Sequence, residues 1–140
     1  MLMKYSQFWI GSGLAALLAA VPAFALTDLP MDRPTTVAGI ETVCTGVGSS
    51  GSDPRWAAYP LKVVVSGKGG VFLADADLTV ARDGKRLLAV HCGGPWLLLK
   101  LPAGHYGVTA VVSGQSASTT AVVPASGQGR AVLRLPRIEG

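Results

Sequence analysis

The sequence predicts an all-β fold: a single antiparallel β-sandwich of about seven strands, behind a helical signal peptide. Three observations predict it. Outside the first 25 residues no window sustains a 3.6-residue apolar repeat, so no further helix is expected. From Tyr59 onward, apolar and polar residues alternate in runs that recur every eight to twelve residues. Turn chemistry separates the runs, as at Asp83-Gly84 and Ser113-Gly114-Gln115.

Residues 1–25 read as an export signal. Lys4 supplies a weak positive start, and Gly11, Ser12 and Gly13 interrupt the apolar run from Phe8 to Val21. Pro22 then precedes Ala23-Phe24-Ala25, the small-x-small pattern that a signal peptidase cuts. An uncleaved anchor is the alternative, since Phe8 to Leu26 is nearly long enough to span a bilayer. The glycines and the proline favour cleavage, which leaves no stable membrane anchor. The expected address is the periplasm or the medium of a Gram-negative bacterium.

Cleavage leaves 115 residues, enough for one domain with a modest core. Without Lys4 the chain has eleven basic and eight acidic side chains, a net charge of +3. The basic residues are scattered rather than clustered, which argues against nucleic acid and leaves a mild lean towards acidic surfaces. Cys44 and Cys92 stand 48 positions apart. With no CxxC and an oxidising destination, they read as a structural disulfide rather than a redox or metal pair.

Residues 26–58 read as an irregular arm tied down by Cys44. Pro30, Pro34 and Pro54 punctuate it, "GVGSSGSDP" is a loop by composition, and "TTVAGIETVC" has room for one short strand. Residues 59–136 carry the sandwich. "YPLKVVVSG" is the first β-rich run. In "VFLADADLTVARDGKRLLAVH", Leu78 and Val80 share one face, and Leu88 and Val90 continue in phase after Asp83-Gly84. "WLLLKL" puts Leu97, Leu99 and Leu101 on one face and Trp96, Leu98 and Lys100 on the other. "HYGVTAVV" aligns Tyr106, Val108, Ala110 and Val112, with Tyr106 leaning back on the Pro102-Ala103-Gly104 corner. "SASTTAVV" is small and polar on both faces and is placed at a sheet edge, where a partner strand could add.

Taken in order, "LADADLTVARDGKRL", "GGPWLLLKLPAGHYGVTA" and "GQSASTTAVV" resemble the carboxypeptidase regulatory-like domain, notably in the turn Leu101-Pro102-Ala103-Gly104-His105-Tyr106-Gly107-Val108. The resemblance covers about Tyr59 to Leu135 and implies a seven-stranded, Greek-key sandwich of the transthyretin (prealbumin) type. "CTGVGSSGSDPRWAAYPLKV" is similar to the leading part of small exported bacterial proteins that carry this domain. Such domains are generally non-catalytic and accompany peptidases, receptors or adhesins, so the resemblance implies a binding role.

Residue chemistry agrees with that expectation. The related hydroxyisourate hydrolases end in Tyr-Arg-Gly-Ser, whereas this chain ends Leu135-Pro136-Arg137-Ile138-Glu139-Gly140. Neither His91 nor His105 sits in a nucleophile motif, and G-x-S-x-G is absent. Asp75 and Asp77 share a strand face that could hold a cation, but they read as a solvated strand entry. His91 and Cys92 are adjacent and point to opposite faces, which leaves too few ligands for zinc or copper. No metal, cofactor or catalytic residue is expected. Arg55, Trp56 and Tyr59 form the one aromatic-basic cluster outside the expected core. It could grip a sugar or peptide, or cap the open end of the sandwich. The expected function is a non-catalytic interaction module of the envelope that binds a protein or glycan. The alternatives are an accessory subunit docking through a sheet edge and an unrecognised hydrolase.

Overall fold

A computed structural model of the chain describes residues 25–139. The expected signal peptide lies outside the described residues, apart from Ala25. The described chain is all-β, with ten strands in two sheets of five. The first sheet runs β1 (Thr27–Asp28), β6 (Lys85–Cys92), β5 (Ala76–Arg82), β8 (Gly104–Val112), β9 (Gln115–Val123). The second runs β10 (Gly129–Leu135), β4 (Leu61–Gly67), β7 (Trp96–Leu99), β3 (Ile40–Thr45), β2 (Thr35–Val37).

Three hairpins follow from local turn chemistry. Asp83-Gly84, Ser113-Gly114 and Ala38-Gly39 all have positive φ at both positions, the twist that two-residue turns between antiparallel strands require. The first two carry sequence signals for such a turn. The third rests on an alanine at φ 51°, which gives none.

The expectation of an antiparallel sandwich needs correction, because both sheets are mixed. β10 pairs parallel to β4 over seven residues, and β1 pairs parallel to β6 over two. Strands joined by two-residue turns must run antiparallel, but these pairs join strands distant in sequence and carry no such constraint. The strand count differs as well. Seven strands, β4 to β10, lie between Leu61 and Leu135, and residues 26–58 supply three more. β3 is an interior strand between β7 and β2, with Val43 and Cys44 fully buried, so the expected arm is built into both sheets, β1 into the first and β2 and β3 into the second.

The alternating leucines and valines form one core shared by the two sheets. Leu78, Val80, Leu88, Val90, Leu97 and Leu99 are all in it, and each is at most 1 % exposed. The Cys44 and Cys92 sulfurs are bonded at 2.04 Å inside that core and join β3 to β6 across the sheets. Tyr106 closes the corner: its hydroxyl donates to the Pro102 carbonyl at 2.6 Å and accepts from Arg82 Nη1 at 3.1 Å. Among the described residues no helix is long and apolar enough to cross a membrane.

Candidate functional site

The outer face of the second sheet is where the molecule departs from a plain sandwich. Trp96 and Leu98 on β7, Lys62 on β4 and Val43 on β3 point away from the main core, because their neighbours Leu97, Val63 and Cys44 point into it. The connection from β3 to β4 folds back over this face in two short 3-10 turns, Gly48–Ser52 and Pro54–Ala58. Two glycines let it lie against Trp96. A Cβ at Gly46 or Gly51 would come within 2.9 or 2.7 Å of the indole carbons.

Asp53 starts the second turn by accepting the Arg55 amide at 2.9 Å, and both its oxygens also receive the Arg55 guanidinium. That hydrogen bond holds the Asp53 carboxyl below its ordinary range. Trp56 then drops onto Val43 and Leu98, its Nε1 donating to the Ser50 carbonyl at 2.8 Å. Tyr59 packs edge-on against Trp56 at 6.1 Å and its hydroxyl donates a hydrogen bond to Glu41, which also pairs with Lys100. Burial and that hydrogen bond push the Tyr59 phenol well up. The loop between β9 and β10 seals the far side, with Gln128 Nε2 donating to the carbonyls of Trp56 and Tyr59, each at 2.9 Å.

Between these parts runs a groove of about 270 Å³, with Ser52, Asp53, Trp56, Lys62, Trp96 and Gln128 around it. Lys62 Nζ lies 3.5 Å from the centre of the Trp96 ring. Desolvation holds its ammonium pKa below the usual value, and the positive charge of Arg130 pushes the same way.

The three residues singled out from sequence therefore divide. Trp56 and Tyr59 are 5 % and 3 % exposed and form a small second core with Val43 and Leu98. Arg55 stays exposed, its guanidinium 4.8 Å over the Trp56 ring. Of the three, Trp56 borders the groove, where it meets Trp96, which the sequence reads as a packing residue, and Lys62 and Gln128, which sequence reading did not single out. The available signal was the outward phase of Lys62, Trp96 and Leu98, since a tryptophan beside a lysine on an outward face has to be covered or used.

The histidines lie elsewhere, on the first sheet. His91 Nδ1 is 2.8 Å from Asp77 and its Nε2 is 3.5 Å from Asp75, so carboxylates occupy both ring nitrogens. The hydrogen bond that the imidazole donates to Asp77 is the main reason its pKa is raised, and Asp75 and the Asp28 charge push the same way. A general base needs one ring nitrogen turned towards a nucleophile, and this imidazole turns neither. His105 is exposed beside the Tyr106 corner. Among the described residues no three His, Cys, Asp or Glu side chains are grouped to hold a metal ion. In comparisons with known proteins, the chain matches no family profile and no curated sequence.

Proposed function

We propose that this protein is a non-catalytic, exported β-sandwich of the bacterial envelope that works by binding a protein or glycan. In this reading β4 to β10 are the seven strands of a carboxypeptidase regulatory-like unit of the prealbumin type. Residues 1–25 are its cleaved signal peptide. The observation that carries the reading is the groove on the second sheet, with two indoles, an ammonium, an amide and a carboxylate gathered over an otherwise closed sheet face. The engagement of both His91 nitrogens by carboxylates supports a binding role over a catalytic one.

A second reading has its own observation. β9 is an edge strand of nine residues, "QSASTTAVV", with no charge, no proline and an unbroken register against β8. β10 flanks that edge, with Gly129 held against the Val122 carbonyl, so a strand from a larger assembly would pair with β9 by displacing β10.

Crosslinking capture from envelope fractions separates the two when run on the full chain and two variants. Ser52→Phe fills the groove from an exposed loop position, and Thr120→Lys puts a charge on the edge strand. Loss of the captured species with Ser52→Phe alone supports groove binding, and loss with Thr120→Lys alone supports edge docking. Chemical conversion of the captured species by the purified protein would reject the non-catalytic reading.

A further inference from the structure

We propose that the groove on the second sheet takes a carboxylate-bearing glycan, with Lys62 as the group that holds the acid. The inference rests on the binding-module reading and narrows it to one ligand class.

Charge supplies the first reason. Lys62 and Arg130 are register partners on β4 and β10, so both side chains leave the same face of the sheet. Among the described residues neither has an ion-pair partner within 4 Å. The nearby carboxylate, Asp53, is engaged by Arg55 through both oxygens. Two cations side by side, one of them partly desolvated, form a site whose charge is balanced only by an incoming anion. The Lys62 ammonium is held below its usual pKa by burial and by Arg130, and a bound carboxylate would reverse that shift.

The floor of the groove supplies the second. β4 is paired on both sides, with β10 and β7, and β7 with β3 and β4. Their main-chain groups are committed to ladders, so a polypeptide cannot add here as a strand. Recognition has to come from side chains. Those present are indole surface, the Ser52 hydroxyl, the Gln128 carbonyl and the Lys62 ammonium, since Arg55 already occupies both Asp53 oxygens. Hydroxyl and acceptor groups suit a polyol, indole suits the C–H face of a sugar ring, and the ammonium suits an acid on that ring. At about 270 Å³ the groove accommodates one or two sugar residues rather than a long chain.

The two features combine at Trp96. One side of the indole lies against Gly46 and Gly51, while Lys62 sits over the ring. An entering uronate displaces the Lys62 ammonium from the ring. Its C–H face then takes that place while Nζ turns to the carboxylate. The lysine is thus both the cover of the site and its specificity-determining residue.

The test is a tryptophan-fluorescence titration of the full chain carrying Trp9→Phe, in which Trp56 and Trp96 are the only indoles and both border the groove. The probes are an oligogalacturonate, its methyl ester and a polyglutamate peptide, run also on Lys62→Met and Arg130→Met. Saturable binding of the acid is expected, with the ester at least tenfold weaker. Lys62→Met should bring the acid down to the ester's affinity, and Arg130→Met should weaken the acid less. Unfolding midpoints that stay near that of the parent chain show that the variants remain folded. Equal binding of acid and ester, or an unchanged affinity in Lys62→Met, overturns the proposal. So does tighter binding of polyglutamate, which would assign the groove to acidic polypeptide instead. If no probe binds, the glycan assignment fails. The binding-module reading fails as well only if Ser52→Phe leaves envelope capture intact.

Discussion

His91 shows how a residue can look chemical and act structurally. It joins three elements, because Asp77 comes from β5, Asp75 from the turn before it, and Asp28 from β1. The Leu29 amide also donates to the His91 carbonyl at 3.0 Å, so the same residue holds the entering chain by its backbone. Since the folded pKa is raised, protonated His91 stabilises the folded state. That stabilisation is complete below the unfolded value of about 6.5 and is lost as pH rises through the higher folded value. The difference in denaturation midpoint between the parent protein and His91→Gln should therefore shrink as pH is raised from 6 to 8. A constant difference across that window would mean that the three carboxylates do not act on the imidazole. The sequence showed the Asp75–Asp77 pair on one face, but His91 faces it only because β5 and β6 register Asp77 against His91.

At the scale of elements, the alternating strands were legible and the arm was not. Leu97, Leu99, Tyr106 and Val108 lie inward as their period requires, since one buried face and one outward face leave a strand no other phase. β3 was missed as an interior strand because Ile40, Val43 and Cys44 do not alternate. Its outward Val43 is buried too, beside Leu98 and under Trp56. A strand covered on both faces has no period to read. The candidate site was legible only in part for the same reason: Trp56 could be picked out locally, whereas Lys62, Trp96 and Gln128 join it through three separate segments. The covering loop itself depends on close approach. Gly51→Ala puts a methyl 2.7 Å from the Trp96 ring, so either the loop or the indole must move. A loss of about 1–3 kcal/mol in chemical denaturation is expected, with a shifted tryptophan emission. An unchanged spectrum and midpoint would show that the loop does not rest on the ring.

At the scale of the whole molecule, the disulfide unites what sequence reading divided into arm and sandwich. It closes a loop of 48 residues and is fully buried at both ends, with the Met31 sulfur 3.4 Å from Cys44 Sγ. Loop-closure entropy for that length is worth about 4 kcal/mol, a large share of the stability of a chain of this size. Replacing both cysteines with alanine should lower the unfolding free energy by about that amount. The parent should resist reductant until it unfolds, because neither sulfur is open to solvent. Rapid reduction of the native protein at neutral pH would contradict the burial.

The parallel pairing of β4 with β10 has a mechanical consequence. A pull carried along the chain through these two strands does not unzip them from one end. It loads seven register pairs together, in shear. Behind that clamp, the cross-link from Cys44 to Cys92 keeps 48 residues, about 160 Å of extended backbone, from paying out under tension. A domain built this way yields little length when it is pulled along its chain.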